Sequence, residues 1–118
     1  MKVIIAGSRD ITDVQVVAEA TREAHKAGIR ITQVVSGGAH GVDRIGEYLA
    51  QQTLHCRVAR FIPDWNRYGK SAGYRRNAEM SRYADALVAV WDGSSHGTRH
   101  MIETMRSLGK LVYVKEVH

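Results

Sequence analysis

Three stretches decide the fold: Val3-Ile4-Ile5-Ala6-Gly7-Ser8-Arg9, Gln33-Val34-Val35-Ser36-Gly37-Gly38-Ala39-His40-Gly41, and Leu87-Val88-Ala89-Val90-Trp91-Asp92-Gly93-Ser94-Ser95-His96-Gly97-Thr98. Each is an apolar run without alternation, the mark of a strand buried on both faces. Each then breaks into a glycine-rich turn that feeds a helical pattern. One such turn is weak evidence. Three imply a composite anion pocket at the ends of a parallel sheet.

Working outward, the chain alternates strand and helix. Lys2–Ala6 reads as the first strand. Asp13–Ala27 reads as a helix, with Val17, Ala20, Ala24 and Ala27 at helical spacing, Asp10 or Thr12 as its cap and Gly28 as its stop. Ile31–Val35 is the second strand and Gly41–Gln52 the second helix. Arg57–Ile62 is the third strand, ended by Pro63, the only proline. A loop, Asp64–Gly69, leads to a polar helix over Ser71–Tyr83. Ala86–Val90, Thr98–Leu108 and Leu111–Val114 complete the pattern as strand, helix and strand. The expectation is α/β: a single Rossmann-like three-layer sandwich with a five-stranded parallel sheet. The order 3-2-1-4-5 is assigned by fold analogy.

Length and composition agree. At 118 residues the chain reads as one domain, 1–118, with 44% apolar and 25% charged residues. Seventeen Lys and Arg against 12 Asp and Glu give a formal charge of +5, which favours anionic partners. One cysteine, Cys56, excludes an intrachain disulfide. The six histidines have no metal-binding spacing, so neither a metal nor another cofactor is expected. No apolar run has membrane-spanning length and Met1-Lys2 opens no signal peptide, so a cytoplasmic protein is expected.

The turns supply the candidate ligand contacts. Gly7 permits a tight exit from the first strand, Ser8 offers a hydroxyl, and Arg9 offers a charged fork. Ser36, Gly37 and Gly38 can present successive amides as a nest, with Gly41 allowing close approach. Asp43 falls in the first helical turn, where it serves a ribose hydroxyl, orients Arg9, or caps. Gly93, Ser94, Gly97 and Thr98 form the third loop, with Thr98 as a helix cap facing phosphate. Trp65 and Tyr68 offer faces for a base, or pack at the domain edge. Arg76 and Asn77 stand near the start of the polar helix. His96 and His40 are candidates for proton transfer, set against plain surface histidines. Asp64 and Asp92 follow strands at the same end and raise an acid–base or Mg²⁺ pair as the lesser reading. No Gly-x-Gly-x-x-Gly follows the first strand and no Walker lysine-serine pair exists, which disfavours NAD dehydrogenases and P-loop ATPases.

Gly7-Ser8-Arg9, Val35-Ser36-Gly37-Gly38-Ala39-His40-Gly41-Val42-Asp43, Asp64-Trp65 with Tyr68-Gly69-Lys70, Gly73 with Arg76-Asn77-Ala78-Glu79-Met80, and Asp92 to Met101 together resemble the YspA-like family of the SLOG superfamily. The resemblance spans nearly the whole chain. It implies a Rossmann-like domain that binds a nucleotide or an ADP-ribose-like metabolite. The superfamily also holds LOG-type phosphoribohydrolases, which implies N-glycosidic hydrolysis with Glu79, Asp92 or His96 acting on water. It holds sensor domains, which implies a binding module without chemistry, and the single-stranded-DNA-binding protein DprA. The LOG-type loop resembles Gly-Gly-x-Gly-Thr-x-x-Glu. Gly97-Thr98 match it here, but Met101 stands at the carboxylate position and Glu103 lies about 200° further round the helix. A homo-oligomer is expected for so small a domain, with Met101, Met105 and Leu108 as a patch or as core.

Overall fold

Apolar side chains alternate strictly between two hydrophobic cores. In a computed structural model describing residues 1–118, Val3 and Ile5 of the first strand enter one core, and Ile4 enters the other. The same alternation sends Val88 and Val90 to one side and Leu87 and Ala89 to the other. A strand buried on both faces belongs at the centre of a parallel sheet with helices above and below.

The strands are β1 (Lys2–Gly7), β2 (Gln33–Ser36), β3 (Arg57–Arg60), β4 (Ala86–Trp91) and β5 (Leu111–Glu116). All neighbours pair in parallel, in the order β3-β2-β1-β4-β5. The sheet is therefore the expected Rossmann-like one. The helices are α1 (Val14–Lys26), α2 (Val42–Leu49), α3 (Trp65–Tyr68), α4 (Ala72–Tyr83) and α5 (His96–Ser107). Helices α1 and α2 cover the core of Val3 and Ile5 through Val17, Ala20, Ala24, Ile45 and Leu49. Helices α4 and α5 cover the other through Met80, Met101, Ile102 and Met105. No helix is long and apolar enough to cross a membrane.

Several local expectations need correction. Asp13, not Asp10 or Thr12, caps α1, its carboxylate accepting from the Gln15 amide at 2.9 Å. Helix α2 stops at Leu49 and passes into a π-helical turn, Ala50–Leu54. Asp64 caps a single helical turn, α3, where a loop is expected, because its carboxylate accepts from the Arg67 amide at 3.1 Å. Helix α5 begins two residues early, at His96, which places Thr98 inside the first turn rather than at the cap. By contrast, the core reading of Met101 and Met105 holds, and only Leu108 of that trio is exposed.

Two glycines set the spacing of the layers. A Cβ on Gly46 would lie 2.9 Å from Ile5, so α2 rests on β1 only without one. A Cβ on Gly7 would fall inside the Val90 carbonyl oxygen and lie 2.8 Å from Val42 Cγ2. Gly7 is thus the point where β1, β4 and α2 meet. Gly7→Ala is expected to destabilise the fold by about 3 kcal/mol or more, read as a lower urea midpoint with an unchanged slope. Gly97→Ala is expected to be neutral or better, because its Cβ would meet nothing within 4 Å.

Candidate functional site

The sheet order reverses between β1 and β4, and a cleft of about 490 Å³ opens there beyond their C-terminal ends. The pocket is of ordinary ligand size. Its wall contains Gly7, Ser8, Arg9 and Asp10 from the end of β1, and Ala39 and Asp43 from the entry to α2. Across from them stand Arg76, Asn77 and Met80 of α4, with Asp92, Ser95, Gly97, Thr98 and Met101 from the β4–α5 turn.

The floor is stitched by Ser8. Its amide donates to the Val90 carbonyl at 3.1 Å, and its hydroxyl oxygen accepts from the Asp92 amide at 3.0 Å. Ser8 is only 1% exposed, so its first role is to splice the two turns. The Asp92 carboxylate accepts from the amides of Ser94 and Ser95 at 2.9 and 2.8 Å. Those amides, helped by the Ser8 hydroxyl, hold its pKa below the ordinary carboxylate range. Asp92 shapes the turn that starts α5. The N–H groups of Gly97 and Thr98, in the first turn of α5, meet no acceptor from the protein. With the Ser95 and Thr98 hydroxyls, 3.3 Å apart, they form the open positive end of a helix in the cleft wall.

Two guanidinium groups converge on this space. Arg9 is exposed at the rim and Arg76 is half-buried, and neither forms an ion pair. Arg76 is held by its Nε–H on the Asn77 carbonyl oxygen at 2.9 Å and by Nη1 on the Gly37 carbonyl at 2.7 Å. Burial lowers its pKa, the Asp43 carboxylate opposes that fall, and nearby Arg9 adds to it. Arg76 stays charged at any ordinary pH. Asn77 is itself fixed, donating to the Gly97 carbonyl at 3.4 Å with His100 Nδ1 also 3.4 Å away. Its carbonyl oxygen orients Arg76, and its side chain is part of the cleft wall.

Asp43 is the buried carboxylate of the cleft, 6% exposed. Its Oδ2 accepts from the Ala39 amide at 3.3 Å. Burial pushes its pKa up to about 6, against the pull of the Ala39 amide, Arg76 and the Gly7 amide. A Cβ on Gly37 would lie 2.9 Å from Asp43 Oδ2 and 2.5 Å from Arg76 Nη1. Gly37 is therefore the gap through which this carboxylate and this guanidinium face each other.

The cleft gathers Gly7, Ser8, Arg9, Asp43, Arg76, Asn77, Asp92, Gly97 and Thr98 from the expected set. The remaining expected residues lie elsewhere. Glu79 is exposed on α4, one residue and so about 100° away from the cleft-lining Met80. His96 and His40 are exposed and outside the wall, and Gly93 and Ser94 are likewise not part of it. The Ser36-Gly37-Gly38 amides do not form an open nest. Gly38 N–H donates to Ser36 Oγ at 3.1 Å, and that buried hydroxyl donates to Glu47 at 2.6 Å. Gly41 is a packing glycine at φ 78°, with a Cβ there 2.5 Å from the Arg9 carbonyl oxygen. Trp65 is outside the wall, 3.6 Å from the Cβ position of Gly73, and the Tyr68 ring is covered by the Arg75 guanidinium at 4.3 Å. Asp64 caps α3 and is not part of the wall that holds Asp92. Ser95, read from sequence with Ser94 as a neutral donor of the third loop, is in the wall; sequence reasoning missed Asp10 and Ala39 as site residues, and each flanks a recognised position by one residue.

Residues 1–68 match the YspA, cpYpsA-related SLOG family. The chain is also 36% identical over 114 residues to the Gene 61 protein of Mycobacterium phage D29, covering 92% of this chain and 90% of that one. No solved structure matches it. The chain belongs to the YspA, cpYpsA-related SLOG family.

The buried carboxylate fixes a pH response. The folded pKa of Asp43, about 6, lies above the unfolded value of 3.8, so the folded protein holds this proton more tightly. Its contribution is complete below the unfolded value and is lost as pH rises through the folded one. Asp92 acts oppositely, its contribution being lost as pH falls below its ordinary range. Stability to urea is expected to fall between about pH 4 and pH 6.5, by at most about 3 kcal/mol. Asp43→Asn should flatten that segment, and an unchanged slope in the variant would assign the effect elsewhere.

Proposed function

We propose that this cleft binds a nucleotide or nucleotide-derived metabolite by its phosphate. The observation that carries the reading is the pair Arg9 and Arg76, two guanidiniums outside any ion pair, beside the open N-terminus of α5. Such an arrangement has an electrostatic cost that a bound anion removes. The phosphate would lie against the Gly97 and Thr98 amides and the Ser95 hydroxyl. The Asp43 carboxylate stands deeper, where it can accept from a sugar hydroxyl. The membership in a SLOG family supports a ligand of this class.

The reading is binding rather than hydrolysis. Of the three residues the sequence offers for water activation, Glu79 and His96 lie outside the wall, and Asp92 is committed to Ser94 and Ser95. The carboxylate position of the LOG-type loop is filled by Met101, 2% exposed, at the wall of the cleft. A sensing or sequestering module matches these facts.

Calorimetric titration with AMP, GMP and ADP-ribose tests it. At least one is expected to bind and to be recovered intact by mass spectrometry. Arg76→Ala should weaken binding about 10- to 100-fold through loss of charge-assisted hydrogen bonds. Gly97→Val should weaken it too, at unchanged melting temperature, because it fills the space over the open amides. Release of free base would overturn the non-catalytic reading. Binding of single-stranded oligonucleotides alone, with steep salt dependence, would replace the small ligand by a polymer.

A further inference from the structure

A second cavity, of about 510 Å³, lies at the opposite pole of the molecule. It opens between the C-terminal half of α1, the approach to β2, the last residue of α2 and the π-helical turn. Both helices end there, near the N-terminal edge of the sheet, whereas the nucleotide cleft lies at the C-terminal edge. The two cavities share no lining residue.

The groove is apolar within and basic at its rim. Ala18, Ile31, Leu49 and Leu54 form its floor. Ala18, Ile31 and Leu54 belong to the margin of the hydrophobic core and are only partly covered by the chain itself. The rim carries Arg22, His25, Lys26 and Arg30, all exposed, and no lining residue is Asp or Glu. None of the four forms an ion pair with the protein. His25 and Lys26 suit the C-terminal end of α1 through the helix dipole. Arg22 stands a turn earlier and Arg30 lies beyond the helix, so the dipole does not account for them.

We infer that this groove receives an acidic amphipathic segment of a partner protein. Charge complementarity selects the occupant. Arg22 and Lys26 are four residues apart, about one helical turn, which is the spacing of two carboxylates at i and i+4 on a facing helix. A single-headed amphiphile needs cations gathered at one end, but these repeat along one wall and continue to Arg30. An apolar floor gives nothing to a sugar-phosphate backbone. The partner's apolar side chains seat on Ala18, Ile31 and Leu54, and its carboxylates face Arg22, Lys26 and Arg30, as in helix-in-groove recognition.

The test is selection of a displayed library of random peptides of roughly 16 residues, long enough for four helical turns, on the full-length protein. The doubly substituted Arg22→Glu, Lys26→Glu protein serves for counter-selection. Both positions are exposed, and circular dichroism with thermal melting checks that the variant folds. Enriched peptides are expected to be net negative, with apolar residues at i, i+3 or i+4. A synthetic winner should bind saturably, lose at least about tenfold in affinity to the charge-reversed protein, and bind Arg76→Ala as well as the parent. Four results would overturn the inference: no enrichment over counter-selection, neutral or basic winners, winners indifferent to charge reversal, or displacement of a winner by dodecanoate at stoichiometric concentration. Because the Arg76→Ala protein is read alongside, failure here is separate from failure of the nucleotide reading.

Discussion

The contact on which the site depends is the one between the ends of β1 and β4. Gly7 lets the chain pass so close to Val90 that no side chain fits between them, and Ser8 then locks the two turns by its amide and its hydroxyl oxygen. This splice holds two strands together just before their following chains part to opposite faces of the sheet. The crevice that opens is a consequence of that parting. It is lined by backbone ends and polar turns because the apolar side chains are already committed to the two cores below. A crevice at this place therefore follows from the strand order itself.

Around the splice, a second layer of polar groups is arranged with little freedom. Asn77 holds Arg76 by its carbonyl oxygen, and the Gly37 carbonyl holds it by Nη1. Asp43 is fixed by the Ala39 amide and faces Arg76 across Gly37. Ser36, Glu47 and Arg60 continue the network behind it, with Arg60 paired to Glu47 at the outer edge of the sheet. Groups held in this way do not reorganise when an anion arrives, which makes an electrostatic site effective in a partly desolvated cleft. Among the donors left open in the cleft are the Gly97 and Thr98 amides at the start of α5 and the free N–H groups of the two guanidiniums.

The sheet was legible because continuous apolar runs, each ended by glycine, have few other interpretations. The strand order came from analogy, and the register of β4 between β1 and β5 agrees with it. Within the site, Arg9, Asp43 and Arg76 were legible because charge at a strand end or a helix start has a specific meaning. The errors share a cause. A turn quoted as a string does not reveal which of its amides already have acceptors, so Ser36-Gly37-Gly38 reads as a phosphate nest although Ser36 occupies Gly38. A helix quoted as a string conceals its rotation, so Glu79 reads with Arg76 and Asn77 although Met80 holds the inward place. Tyr68 reads as available for stacking, but the Arg75 guanidinium lies on its face. Thr98 reads as a cap because its hydroxyl is of the capping type, but α5 starts at His96 with no side-chain cap, which leaves Thr98 inside the first turn.

The net charge of +5 acquires a location from this reading. Most of the 12 carboxylates serve the fold. Asp13 and Asp64 cap helices, Asp85 accepts from the Lys2 amide, Asp92 shapes a turn, Glu19 and Glu23 hold Lys115, and Glu47 holds Arg60. Of the 17 lysines and arginines, only Arg60 and Lys115 have such partners. A small protein whose acids are engaged internally must show its cations outward, but nothing in that constraint requires them to gather. Here two gather beside an open helix end, and others line a groove with an apolar floor. A diffuse positive surface would attract any polyanion weakly and equally. Two separate concentrations of charge, one polar-walled and one apolar-floored, lie at opposite ends of one sheet, and on the readings proposed above the first suits a small phosphorylated ligand and the second an acidic chain.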